Sequence, residues 1–282
     1  MVESLLPNDD ERLPARGRRG GAAPERQSEA ADRRRLEQDL RASLAENGFT
    51  LHYQPRVSLA SGRVTGAEAL IRWPHRKRGL VPPSAFIPIA ERSDLIDEIG
   101  AWVLRNACRE AASWGENGIS VAVNVSARQL RGGTLCTQLG AALDASGLAP
   151  ERLGIELTES MLIDGSVETL LTLAAIRDLG VEIALDDFGT GYASLAMIKT
   201  LPLTMMKLDR SLIRGLPTDP ADAVIVRGVI ESGHALGLAV VAEGVETEAQ
   251  RGYLAAVGCD EMQGFLFSPA VPAAELHRLL RA

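Results

Sequence analysis

From Arg35 onward the chain alternates short apolar runs with helical patterns, and this regularity limits the folds open to it more than any other feature. Eight runs read as strands: residues 51–57, 64–72, 121–125, 153–157, 181–185, 204–208, 238–242 and 260–264. Apolar residues at helical spacing fill gaps between them, as in residues 36–47, 167–179 and 221–236. Strands alternating with helices imply a largely parallel sheet covered by those helices. The first two strands are an exception, because only residues 58–63 separate them. A parallel crossover needs about a dozen residues or more, so this pair is expected to run antiparallel. Eight strands in about 250 residues fit a closed (β/α)8 barrel better than an open doubly wound sheet. No Gly-x-Gly-x-x-Gly follows the first strand, which weakens the dinucleotide-binding alternative. The expected fold is a modified TIM (β/α)8 barrel with an antiparallel strand in the first hairpin.

Residues 1–35 stand apart. Beyond Leu5 and Leu6 they hold almost no adjacent apolar residues, and residues 14–21 are basic and rich in breakers. They carry eight Arg against seven acidic residues, a net of +1, so the remainder of this −7 chain carries −8. The segment is expected to be a flexible leader before a single barrel at residues 36–282. An acidic chain is a poor whole-surface partner for a nucleic acid polymer or an anionic membrane. Aromatics make up only 4% of the chain, too few for a single-strand stacking channel. No run approaches the ~18 apolar residues of a spanning helix, and the N-terminus lacks the apolar core of a signal peptide. Neither membrane insertion nor secretion is therefore expected. Cys108, Cys136 and Cys259 are isolated, which disfavours a disulfide framework or zinc site and fits a reduced, cytoplasmic setting. His52, His75, His234 and His277 are too scattered for a histidine metal centre.

Chemistry concentrates where polar residues interrupt the apolar strands. Asn124 closes Val-Ala-Val-Asn, Glu156 sits in Gly-Ile-Glu-Leu, and Asp186 and Asp187 end Ile-Ala-Leu-Asp-Asp before Phe-Gly-Thr-Gly. Lys207 lies in Met-Met-Lys-Leu, Glu243 follows Val-Val-Ala, and Gln263 follows Glu-Met. Barrel enzymes build their active sites from the C-terminal ends of several strands, so six successive strands with this habit point to one shared site. Glu68, Asn124, Glu156 and Asp186 are hard oxygen donors without sulfur or imidazole, a set suited to Mg²⁺ or Mn²⁺ rather than zinc. Adjacent strand residues face opposite ways, so Asp187 reaches the same site as Asp186 only if the strand ends there, as the glycines 189 and 191 permit. Two neighbouring aspartates can then bridge two cations, an arrangement that suits phosphoryl displacement. Lys207 and Glu243 could orient and deprotonate water. A lysine buried in an apolar strand needs partners, so carboxylates or phosphates are expected around it. Along the second strand Gly66, Glu68, Leu70 and Arg72 share one face, which places a metal-ligand candidate beside a phosphate-binding guanidinium.

These residues also form a pattern. Glu68-Ala-Leu70 followed by Ile-Arg72-Trp resembles the signature of the EAL-domain cyclic di-GMP phosphodiesterases. It stands in order with Tyr53-Gln54-Pro55, Asn124-Val-Ser126, Glu156-Leu-Thr-Glu159, Asp186-Asp-Phe-Gly-Thr-Gly191, Lys207-Leu-Asp209, Glu243-Gly-Val-Glu246 and Gln263-Gly264. The resemblance spans residues 36–282. It implies hydrolysis of cyclic di-GMP to linear pGpG with two divalent cations. It further implies that Glu68, Asn124, Glu156 and Asp186 hold one cation, that Asp187 serves the second, and that Lys207 holds or polarises the attacking water. Glu243 becomes the general base or a second-metal group. Gln263 completes the polar site and contacts the substrate, as do Gln54, Leu70, Arg72 and Glu246. Glu159 anchors the loop of residues 187–191, which supplies ligands and supports a homodimer. Ala193 stands where the family generally has Ser, Thr204 replaces a usual Asp, and Phe265 replaces a common Tyr. The first two bear on loop stability and dimer coupling more than on the chemistry. A catalytically silent cyclic di-GMP receptor is the alternative, and a barrel acting on another diester such as a glycerophosphodiester is a third reading. Retention of Glu156 and Glu159 favours the enzyme.

Overall fold

Strand β1 (Thr50–Ser58) turns through a short connection into β2 (Val64–His75), and the two pair antiparallel with Gln54 opposite Glu68. This computed structural model describes residues 22–115, 118–162, 166–191 and 194–281. Six further strands continue the sheet in parallel from β2: β4 (Ser120–Asn124), β5 (Leu153–Thr158), β6 (Glu182–Phe188), β7 (Met205–Leu208), β8 (Ala239–Ala242) and β9 (Glu261–Met262). Strand β9 then pairs antiparallel with β1 and closes the barrel. The expected altered (β/α)8 barrel is thus the fold, with β1 as the inverted strand and seven neighbours running the other way. Two short strands lie outside the expected eight: β3 (Gly79–Val81) on the end of β2, and β10 (Val271–Pro272) on β1. At two or three residues each, they are too brief for an alternating pattern to register.

The first helix differs from expectation. It runs Ala22–Ala45 rather than starting at Leu36, so the last part of the expected leader has a helical backbone. Ala, Glu and Arg dominate that stretch and favour helix without any apolar stripe, which is why periodicity alone does not reveal it. The rest of the expected leader, residues 1–21, lies outside the described residues, as does Ala193.

Alternation along each strand sorts side chains into two regions. Val121, Val123, Ile155, Leu157, Ile183, Leu185, Met206, Leu208 and Val240 are buried against the helices in the main core. Ala184, Met205 and Val241 form a separate small cluster inside the barrel. One pleat further toward the C-terminal ends, the same inward faces carry Asp186, Lys207 and Glu243. The site therefore rests on the apolar filling of its own barrel. Below it lies a buried cation, Arg56, which donates to Ser120 Oγ at 2.9 Å and Met205 Sδ at 2.6 Å and pairs with Glu261 at 3.5 Å. Gly66 permits this, because a Cβ there would collide with the Arg56 guanidinium.

Candidate active site

Lys207 is completely buried, and its ammonium is surrounded by carboxylates drawn from four strands. Its Nζ donates to Glu156 Oε2 at 2.9 Å. It lies 2.6 Å from Glu243 Oε1, 3.0 Å from Asp186 Oδ1 and 3.6 Å from Glu68 Oε2. The Asp186 contact is charge to charge only, since that oxygen accepts no hydrogen bond. The expected carboxylate partners of Lys207 are all present. Amides complete the ring: Asn124 Nδ2 donates to Glu68 Oε1 at 2.7 Å, and Gln263 Nε2 donates to Glu68 Oε2 at 2.7 Å and to Gln54 Oε1 at 3.2 Å. Gln54 in turn donates to the carbonyl of Ser268 at 3.4 Å, a partner that the strand pattern does not signal.

Local structure explains how these side chains are aimed. Asn124 ends its strand because Ser126 caps the next helix, Ala127–Arg131, in a reciprocal box with Gln129. Lys207 is followed by Asp209, which caps the helix Arg210–Ile213 through the Ser211 amide. Asp187 is held differently from expectation. Strand β6 does not stop before it but continues to Phe188, with a register shift between Leu185 and Phe188. Asp187 sits in this irregularity with φ of +56°, a conformation that a non-glycine residue rarely adopts. The left-handed residue, not a strand terminus, turns both aspartates toward one point. Carboxylate oxygens of Asp186, Asp187 and Glu243 consequently lie within 4.8 Å of one another.

The electrostatics are unbalanced. Four carboxylates face one ammonium, and Asp187 adds a fifth negative charge nearby. Burial opposes the charge on Lys207, but Glu156, Glu68, Glu243 and Asp186 outweigh it and hold the amine well above its ordinary value, so it stays protonated. Burial would also raise Glu68, yet Lys207 and the amides of Gln263 and Asn124 keep its carboxyl below the usual range. Glu156 goes the other way, pushed well up by burial and by the charge of Glu68 despite Lys207. Burial likewise lifts Glu243 to about 7, with Lys207 opposing and Asp186 and Glu68 reinforcing. Asp187 is raised by burial and by Asp186 and Asp209. Buried oxygens remain without a hydrogen bond at Glu156 Oε1, Asp186 Oδ1 and Gln263 Oε1. Hard oxygens free to coordinate in a pocket of surplus negative charge fit divalent cations such as Mg²⁺ or Mn²⁺.

The remaining expected residues surround this centre without a direct contact to it. Leu70 lines a cavity of about 480 Å³ with Asn124, Thr158, Pro83 and Ile87. Arg72 is partly buried and donates to its neighbour's carbonyl at Ile71. Glu246 is exposed on the rim, its backbone amide donating to Gln250 Oε1. Glu159 is buried and accepts the Gly191 amide at 3.0 Å, tying the end of the 187–191 loop to the strand that carries Glu156. Thr204 lies at the other end of the barrel, where its hydroxyl accepts from the Ile183 amide and donates to the Ile183 carbonyl.

Comparison with known proteins shows the family. The EAL domain family model matches residues 37–270. The chain belongs to the EAL domain family. The bifunctional diguanylate cyclase/cyclic di-GMP phosphodiesterase MucR of Pseudomonas aeruginosa is 42% identical over 250 residues, 88% of this chain and 36% of that protein. The cyclic di-GMP phosphodiesterase NbdA of the same organism is 42% identical over 250 residues, 88% of this chain and 32% of that protein. This EAL domain thus spans about a third of the length of these curated relatives. A solved structure of the PaMucR phosphodiesterase in complex with c-di-GMP aligns at a TM-score of 0.81 and 42% identity, covering 86% of this chain and 99% of that one. No described helix is long and apolar enough to cross a membrane.

Proposed function

We propose that this EAL domain hydrolyses cyclic di-GMP to linear pGpG with Mg²⁺ or Mn²⁺. The observation that supports the reading is the charge surplus: five carboxylates and one ammonium converge, and Glu156 Oε1 is buried without a hydrogen-bond partner. Glu68, Asn124, Glu156 and Asp186 would hold one cation, and Asp187 with Asp186 and Glu243 the second. When bound, divalent cations supply charge neutralisation for the phosphodiester and lower the pKa of water. The chain's own residues do the rest. Lys207 stays protonated, holds the carboxylates in place and serves as a donor, never as the base. Glu243, 2.6 Å from the Lys207 ammonium, would be the group that accepts a proton from water or, alternatively, a ligand of the second cation. Water adds to one phosphorus, the P–O3′ bond breaks, and the released 3′ oxygen takes up a proton to give a 5′-phosphorylated linear dinucleotide.

Gln54 and Gln263, bonded to each other beside Glu68, would contact the substrate, and Arg72 and Glu246 would contact the nucleotide from the rim. The cavity beside Leu70 has the volume to receive a planar base. Glu159 would act through the Gly191 amide as a loop anchor. We further propose a homodimer supported by the 187–191 loop, and a cytoplasmic location in keeping with three free cysteines. The test is turnover of cyclic di-GMP by purified protein in Mg²⁺ or Mn²⁺, alongside Glu68→Ala. Release of pGpG that is lost in EDTA and in Glu68→Ala supports the proposal. Tight binding of cyclic di-GMP without any metal-dependent pGpG makes the protein a receptor instead. Turnover that survives Glu68→Ala removes the metal assignment.

A further inference from the structure

A groove of about 520 Å³ runs between the first helix, α1 (Ala22–Ala45), and the helix α2 (Pro83–Glu91). Leu36, Pro88 and Ile89 give it an apolar lining, and Arg33 and Arg92 line it as well. Among the described residues neither guanidinium has an ion pair or a side-chain hydrogen bond. Asp32, also in the lining, is taken by Arg78 at 2.6 Å. Two unanswered positive charges thus flank an apolar strip, on a chain whose net charge is −7. The helix between groove and active site is weak in itself. Pro82 gives α2 no side-chain cap, and Pro88 inside it removes one hydrogen bond of the helical ladder. Ser84 and Pro88 line both the groove and the cavity beside Leu70, so α2 is the wall that separates them.

The chain carries a complement to this groove. Residues 1–11 hold Glu3, Asp9, Asp10 and Glu11, no Lys or Arg, and the apolar Val2, Leu5 and Leu6. Between them and α1, residues 14–21 include Pro14, Gly17, Gly20 and Gly21, residue types from which chain reversals are made. Arg33 lies eleven residues beyond Ala22, about 16 Å along the helix, whereas the eight residues 14–21 reach up to about 29 Å when extended. We propose that residues 3–11 fold back along α1 and dock in the groove. Leu5 and Leu6 then cover Leu36, Pro88 and Ile89, and the carboxylates of residues 9–11 face Arg33 and Arg92. Exposed ion pairs are individually weak. The tether offsets this, because a short linker supplies an effective concentration on the order of millimolar. The seated segment braces α2, and with it one wall of the cavity that opens beside Leu70.

The test uses the full chain and two readouts. In the first, Leu6 is replaced by the photoreactive, apolar benzoylphenylalanine, and mass spectrometry locates the cross-link after illumination. Insertion within the same chain into residues 33–36 or 85–92 is expected. In the second, amide hydrogen exchange at residues 89–92 is compared between wild type, Asp9→Lys with Asp10→Lys, Arg33→Glu with Arg92→Glu, and all four changes together. Each reversed pair should speed exchange there by about tenfold, and the combination should restore it. The leader-side pair lies outside α2, so its effect cannot come from damage to that helix. Exchange that is unchanged by either reversed pair overturns the docking, as does a combined variant that shows no recovery. A cross-link that forms elsewhere, or only between two chains, overturns it too. Neither readout depends on catalysis, so failure of the enzymatic reading would leave the docking intact.

Discussion

Removing divalent cations from this protein should make its stability fall as pH rises from 5 to 8, against the usual trend for proteins held by salt bridges. The sign follows from the site. A carboxyl whose folded pKa lies above its unfolded value binds more protons in the native state between those two values, so stability declines through that window. Glu243, lifted by burial from 4.5 to about 7, is such a group, as are Glu156 and Asp187 by direction. Glu68 has the opposite shift, but its contribution changes only below its unfolded value of 4.5, outside the window. Lys207 is raised above 10.5 and is charged throughout. For Glu243 alone, a displacement from 4.5 to about 7 at about 1.4 kcal/mol per pH unit amounts to about 3 kcal/mol. The assay is urea unfolding in EDTA at pH 5 to 8, repeated in saturating Mn²⁺ and with Glu243→Gln. The unfolding free energy of wild type should drop by about 3 kcal/mol or more in EDTA, less steeply in Glu243→Gln, and little in Mn²⁺, which replaces the missing protons. A flat or rising profile in EDTA, the same with and without Glu243, would refute the claim that these carboxylates are crowded against one another.

Other consequences can be checked with single variants. Glu159→Ala should lower turnover by about 10- to 100-fold, as loss of a ligand-supporting contact does, and should speed hydrogen exchange at the Gly191 amide. Asp187→Asn should raise the urea midpoint in EDTA at pH 8, because it removes a charge raised by burial, Asp186 and Asp209 while tolerating the left-handed backbone. The same variant should lose metal-dependent turnover. Arg56→Met should lower the unfolding free energy by about 3–5 kcal/mol with KM unchanged, whereas Lys207→Met should abolish turnover at saturating Mn²⁺. An Arg56 variant with altered KM would place that residue in the active site after all.

Much of the barrel can be read from alternation, because strands buried on both faces appear as short apolar runs and the hairpin follows from one short connection. The eight strands expected from the sequence match the observed ones closely, although β9 shrinks to Glu261–Met262 where the chain turns early to place Gln263. The polar strand ends likewise converge as their spacing implies. What alternation misses is any departure from itself. It puts Asp187 on the outer face of β6, and only a register shift with a left-handed residue brings that side chain inward. It also passes over Arg56, which in Tyr-Gln-Pro-Arg-Val looks like any strand arginine. A signal was present: Gly66, Ala122, Gly154 and Ala184 stand two residues before Glu68, Asn124, Glu156 and Asp186. Small residues at those inward positions leave space inside the barrel, and a long side chain from the inverted strand has to fill it.

The two buried cations show why one end of this barrel is a site and the other is not. Arg56 and Lys207 are each almost inaccessible, and either would be costly to bury without partners. Arg56 pairs with Glu261 beside the neutral Ser120 and Met205, and Glu182 is a second carboxylate that feels its charge, so two carboxylates answer one guanidinium. Such a group fixes the packing of β1 against the lower barrel. Lys207 meets four carboxylates, and the surplus shows itself as protons held by Glu156 and Glu243 above their ordinary range. A fold gains nothing from that surplus, since replacing one carboxylate by an amide would relieve it. Positive charge arriving from outside would relieve the excess. That surplus, rather than the burial of a lysine as such, is why we propose the C-terminal mouth as the place where cations and a phosphodiester meet.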